Sequence, residues 1–110
     1  MPGRAVGKYL RVPPRKAREV VELIRGLPVE QAQQVVGFSK RRAARFVEKV
    51  LKSAVANAEQ AREGDAGPLY VARAVVDEGP MLKRVIARAR GVRNLIRRRT
   101  SHITIVVAER

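Results

Sequence analysis

A chain of 110 residues with 24 lysines and arginines against ten acids has a formal charge of +14 and a pI near 11.6, which makes its partner a polyanion, either nucleic acid or an anionic membrane surface. Its length suits one domain, 1–110, able to bury roughly two-thirds of the surface its unfolded form exposes. No apolar run approaches the roughly 18 residues of a membrane span, the opening MPGRAVGKYL has too short an apolar stretch for a signal peptide, and the lack of cysteine excludes disulfides, thiolate zinc sites and cysteine nucleophiles, so a cytoplasmic protein is expected.

In chain order, residues 4–12 alternate in part, with Val6, Leu10 and Val12 on even positions, which predicts a strand that buries one face. Pro13 and Pro14 end a ladder but suit the first turn of a helix. Ala17, Val20, Val21 and Ile24 then recur at three- and four-residue intervals, predicting a helix over 14–25 that stops at Gly26. Pro28 opens a short second helix with Val29, Ala32, Val35 and Val36 inward, ending near Gly37. Ser39 is placed to cap a third helix. Its stripe of Ala43, Phe46, Val47, Val50, Leu51, Ala54, Val55, Ala58 and Ala61 is the longest periodic run, with Arg41, Arg42, Arg45, Lys49, Lys52 and Arg62 largely outside it. Residues 63–68 form a turn-rich break. Residues 69–77 are rich in β-branched side chains, and HITIVVAE places Ile103, Ile105 and Val107 on one parity, so both are predicted strands. The fold class is α+β: three helices packed on a small antiparallel sheet with a long protruding basic β-hairpin.

That hairpin is where the charge concentrates. Between residues 79 and 108 there are eight basic side chains and no acid, +8 of the +14. As a ribbon it turns near Gly91 with about ten residues in each arm, reaching on the order of 30 Å beyond the sheet. Leu82, Val85, Ile86 and Ala89 also sit at helical spacing, so periodicity leaves a short basic helix ending at Gly91 open. Either form has few large apolar groups to bury and is marginal alone. Neutralising about six to eight charges against a polyanion gives a log–log salt slope of roughly −4 to −7, enough to couple folding to binding. A merely solvated face normally mixes both signs, and a membrane-surface helix needs large apolar anchors; neither pattern is present.

Other candidates are weaker. Asp77 and Glu78 are adjacent carboxylates, but strand neighbours point to opposite faces, so a turn or strand kink is the better reading than an acid–base pair. His102 is the single histidine and has no ligand pattern to join it; no metal is expected, and it should pack or hydrogen-bond at the strand start. Asn57 interrupts the apolar face of the third helix, where a backbone partner is favoured over RNA. Tyr9, Phe38, Phe46 and Tyr70, two of them assigned to the core, are too few for a base-stacking platform, so recognition by shape and phosphate is favoured. No phosphate-cradling glycine loop or nucleophile arrangement occurs, and no cofactor is expected.

The stretches PRKAREVVELIRG (14–26), KVLKSAVANAE (49–59), VDEGPMLKR (76–84), RARG (88–91) and RRTSHITIVV (98–107) resemble, in order and spacing, the bacterial family of large-subunit ribosomal protein twenty-two, over essentially the whole chain. The resemblance implies a structural protein, not an enzyme, with a globular part (1–79 and 101–110) near the exit of the nascent-peptide tunnel. A hairpin at about 80–100 would pass inward to line the tunnel wall. Implied partners are several domains of the large-subunit (23S) rRNA, neighbouring large-subunit proteins and the nascent polypeptide, with a part in early subunit assembly, no membrane and no homo-oligomer. Carried over by position, Lys83, Arg84, Arg88, Arg90, Arg93, Arg97, Arg98 and Arg99 are hairpin contacts to rRNA. Arg15, Lys16 and Arg18 match the family's Pro-Arg-Lys block and add contacts from the globular part. The tunnel-lining tip is Arg88, Ala89, Arg90, Gly91, Val92 and Arg93. Three departures stand out: Ala87 where the family usually has proline, Val92 where it has a basic residue, and Pro13 where serine is common.

The runner-up reading is an architectural DNA-binding protein, since basic β-arms also grip minor grooves. An enzyme of nucleic-acid chemistry ranks third for want of a convergent catalytic set.

Overall fold

The computed structural model describes residues 3–61, 68–80, 82–87 and 93–109, with the backbone alone at 61, 82–87 and 93–98. The elements run β1 (Gly3–Leu10), α1 (Pro14–Ile24), α2 (Val29–Phe38), α3 (Arg42–Ala61), β2 (Leu69–Glu78), β3 (Leu82–Ala87), β4 (Arg93–Arg98) and β5 (Ser101–Glu109). Strands β1, β5 and β2 form an antiparallel sheet in that order, and β3 with β4 forms a second, two-stranded sheet. This is the predicted α+β arrangement. Of the predicted break at 63–68, all but Pro68 lies outside the described residues.

Strand β5 occupies the centre of the sheet, and its strict alternation buries Ser101, Ile103, Ile105 and Val107 against the helices. Those side chains meet Val20, Val21 and Ile24 of α1, Val36 of α2, and Val47, Leu51, Ala54 and Ala58 of α3 in one apolar cluster. Ala44 joins the buried stripe of α3, whereas Phe46 and Val55 are only partly buried at its margin. Tyr9 and Phe38 are exposed, and Phe46 is the one described aromatic that packs against the cluster, so the expectation of two core rings fails. On the β1 side, α3 lies too close to the strand for large side chains between them.

The reason lies in β1. The even-numbered face was expected to be buried, but Val6 is 38% exposed, and Gly3, Ala5 and Gly7 turn inward instead. A side chain on Gly3 would collide with the Ala54 carbonyl oxygen and with Ala58, so only these small residues let α3 rest directly on the strand. A register shift between Gly7 and Leu10, with Tyr9 at φ 58°, then reverses the parity, and Val12 becomes buried after all.

Ser39 is also corrected. Its hydroxyl accepts from the Arg41 amide at 3.2 Å, two residues on and ahead of α3, so it closes a local turn and does not cap the helix. Gly26 does follow α1, at φ 77°.

The outer edge of β2 is closed by the helical layer. Gly26 N–H donates to the Val71 carbonyl and Val71 N–H donates to the Leu27 carbonyl, each at 2.9 Å. Further along, Arg25 Nε donates to the Ala74 carbonyl at 2.8 Å, and Arg18 donates Nε and Nη2 to the Val76 carbonyl at 3.3 and 3.1 Å. Two guanidinium groups thus satisfy an edge that would otherwise offer a template for pairing. Buried Ser101 donates its hydroxyl to the Val12 carbonyl at 2.5 Å. Ser101→Ala leaves that carbonyl unpaired, and a loss of about 1–3 kcal/mol, read from a urea unfolding midpoint, is expected.

The chain extends 67 × 24 × 15 Å with a radius of gyration of 17.1 Å. A compact domain of this length has about 13 Å.

Candidate nucleic-acid interface

At its described residues 82–87 and 93–98 the acid-free segment forms strands, not the alternative helix. Cα register pairs Leu82 with Arg98, Lys83 with Arg97, Arg84 with Ile96, Val85 with Leu95, Ile86 with Asn94 and Ala87 with Arg93. Residues 88–92, which hold Arg88, Ala89, Arg90, Gly91 and Val92 of the expected tip, lie outside the described residues; Arg93 opens β4. Lys83 against Arg97 sets like charges at opposed positions, an arrangement that disfavours a ladder unless an anion lies alongside.

The root of this ribbon is specifically built. Glu78 pairs with Ser101 at the end of the main sheet, and Gly79 N–H still donates to the Thr100 carbonyl at 2.9 Å. Pro80 then supplies no N–H, which is why the ladder breaks between the two sheets. Its carbonyl accepts from the buried Thr100 hydroxyl at 2.6 Å. A side chain on Gly79 would strike that hydroxyl and the His102 ring. Gly79→Ala should therefore break the Thr100 bond and cost about 1–3 kcal/mol, visible as a lower Tm.

His102 packs and hydrogen-bonds at the strand start: its Nδ1 accepts from the Tyr9 amide at 3.0 Å, and the two rings meet edge to face with centroids 5.0 Å apart. Asp77 and Glu78 end β2 as exposed residues. Among the described residues no three metal-ligating side chains cluster. Asn57 donates to the Arg4 carbonyl at 2.9 Å, the backbone role favoured from sequence. No described helix is long and apolar enough to cross a membrane.

On the helical side the predicted basic residues divide. Arg15 and Lys16 are exposed on the first turn of α1, whereas Arg18 reaches back to β2 as described above. Lys16 lines a groove of about 330 Å³ with Arg11, Val12, Glu19, Arg41, Arg42 and Ala43. Arg11, Arg41 and Arg42 were not foreseen as site residues; the Lys40, Arg41, Arg42 triplet is a visible signal, but its meeting with residues 11–16 is tertiary. Arg45 is engaged differently, donating to the carbonyls of Val36 and Ser39 at 2.6 and 2.8 Å where α2 ends.

The site is thus a basic two-stranded arm on a defined root, with a second basic concavity on the helical layer. The sequence model of the family described as ribosomal protein L22p/L17e matches residues 5–108. Curated relatives called "Large ribosomal subunit protein uL22" are similar from end to end. That of Carboxydothermus hydrogenoformans is 56% identical over 110 residues, covering 100% of this chain and 97% of the relative. That of Halothermothrix orenii is 53% identical with the same coverage, and that of Thermus thermophilus 48%. Matched across globular sheet, helices and arm together, the chain belongs to the ribosomal protein L22p/L17e family: it is a structural ribosomal protein and not an enzyme.

Proposed function

We propose that the chain is a structural constituent of the large ribosomal subunit in the bacterial cytoplasm, where it binds several domains of the 23S rRNA and supports early subunit assembly. Its globular part, 1–79 and 101–110, sits at the subunit surface, and its arm, about 80–100, enters the RNA. The observation behind this reading is the arm itself: a ladder separate from the main sheet, rooted at Gly79 and Thr100, in a segment with eight cations and no acid. Lys83, Arg84, Arg88, Arg90, Arg93, Arg97, Arg98 and Arg99 contact rRNA backbone there. Arg15 and Lys16 contribute from α1, and Arg18 adds to its bond with the Val76 carbonyl the guanidinium donors that bond leaves over. Residues 88–93 line the nascent-peptide exit tunnel, where the partner is the growing polypeptide. Other large-subunit proteins are neighbours, and the chain acts as one copy.

The physical logic is charge placement. A ribbon too poor in apolar surface to stand alone gains its order from the phosphates it neutralises, so protein can occupy an interior that is densely anionic. Sedimentation of a lysate through a high-salt sucrose gradient, with and without ribonuclease, tests the assignment. The protein should travel with the large subunit and leave it only when RNA is cut; remaining at the top, or following DNA, contradicts it.

A further inference from the structure

We infer that the outer face of α2 is a protein-docking surface, which seats a basic segment of a neighbouring large-subunit protein across Gly37 and Phe38. Glu30, Gln33, Gln34, Gly37 and Phe38 follow the helical period and share one exposed face, turned away from buried Ala32 and Val36. They line an open groove of about 510 Å³. Phe38, at the end of the helix, is 85% exposed, more than any other large apolar side chain described. One ring in water is ordinary by itself. Its surroundings here are not. Among the described glycines, Gly3, Gly7 and Gly79 are held by crowding and Gly26 by its φ of 77°, whereas a Cβ on Gly37 would meet nothing nearer than a Glu48 carboxylate oxygen at 3.6 Å, an ordinary contact. Gly37 is helical, and inside a helix glycine is less favourable than alanine. The fold therefore does not require it. The missing side chain leaves a notch beside the ring, where another backbone can approach closely.

Charge decides the class of partner. Residues 26–39 are the longest run of the chain without a lysine or arginine, and Glu30 is the one charge in the groove lining. No basic residue of α2 stands in its last turn to answer the negative end of the helix dipole. Arg45 reaches that end from α3, but its Nη2 is turned to the carbonyls of Val36 and Ser39 and its Nη1 lies 3.7 Å from Glu48. Such a face offers a phosphate backbone no cation, and a second copy of a chain at +14 is repelled by its own charge. A basic protein segment fits every feature. One cation lies over the Phe38 ring at the helix end, and another pairs with Glu30 two turns away, about 12 Å along the axis. The backbone between them crosses the notch at Gly37, while Gln33 and Gln34 supply amide donors and acceptors to it.

This inference rests on the large-subunit reading above, and the test separates the two. A photoreactive phenylalanine is placed at Gln34 of the full-length chain, and large subunits assembled with it are purified on a sucrose gradient before irradiation. The expected result is an adduct to one other protein of the subunit and none to RNA. In the same background, Gly37→Ala, which fills the notch, and Glu30→Lys, which reverses the charge, should each lower the adduct yield roughly fivefold. Gly37→Ala should also raise the Tm of the free chain by about 2–4 °C, because alanine is the better helix former, so its lower yield cannot come from unfolding. An adduct to RNA or to a second copy of the chain overturns the proposal, as does a yield that neither substitution lowers. Incorporation into the subunit with no protein adduct refutes the docking surface and leaves the large-subunit reading standing. If the chain does not enter the subunit, that reading itself fails and the docking surface falls with it.

Discussion

Replacing Arg84, Arg93, Arg97 and Arg98 together with glutamine is expected to lower affinity for large-subunit rRNA on the order of a thousandfold at about 0.1 M salt. The estimate follows from counterion release alone: four lost phosphate contacts flatten the log–log salt slope by about three, and each unit of slope is worth a factor of ten at that salt. The loss should be nearly independent of RNA sequence, because cations on phosphates position a protein without reading bases. Stability should respond differently. Lys83 is registered against Arg97, so Arg97→Gln removes an opposed pair of like charges, and the free quadruple variant should melt no lower than the parent. A variant that binds poorly and folds well, shown by filter binding beside thermal unfolding, separates an arm built for a ligand from one built for the fold. Equal salt slopes for parent and variant would remove the arm from the interface.

The second large effect lies in the core. Ile105 is fully buried on the central strand, registered against Ala5 of β1 on one side and Ala74 of β2 on the other. Neither alanine can grow into a vacancy, and α3 is held at the sheet by the contact of Gly3 with Ala54 and Ala58. Ile105→Ala should therefore leave a cavity that collapses little and cost about 3–4 kcal/mol, lowering Tm by on the order of 15 °C. Ile105→Val, which removes one methylene, should cost about 1 kcal/mol. Denaturant midpoints for the two variants, with unchanged slopes in denaturant, check both values.

These two residue sets mark what was legible beforehand. The three helices and β5 were readable because large apolar residues repeat along them at the period of the element, and Ile103, Ile105 and Val107 need no context to announce a buried face. The inner face of β1 was not readable, because Gly3, Ala5 and Gly7 carry almost no apolar signal, and the bulge at Tyr9 hides the change of parity that buries Val12. The basic arm was visible as a charge run, since sequence neighbours are also structural neighbours in a ribbon. The groove was not, because Arg11 and Arg42 become neighbours only when α3 packs beside α1. Arg18 and Arg25 show a different case: both reach along β2 to its outer carbonyls, a fold role that the sequence did not announce, while Arg18 stands in the block carried over as rRNA contacts. A long side chain with five donors can serve the fold as readily as a partner, and the sequence does not distinguish the two.

Pro80 joins these levels. One residue without an N–H breaks the ladder between the main sheet and the arm, and the Thr100 hydroxyl accounts for the carbonyl beside the break. The arm thus leaves the globular part at a defined point while Gly79 remains bonded to Thr100.

The most direct measurement is site-specific photocross-linking in assembled subunits, with a reactive aromatic amino acid placed in turn at Ile86, Leu95 and Arg90. Positions 86 and 95 should join to 23S rRNA, in more than one segment of it, and position 90 should capture a stalled nascent polypeptide. Full incorporation into the subunit with no RNA adduct from either strand would contradict the claim that this arm is embedded in rRNA.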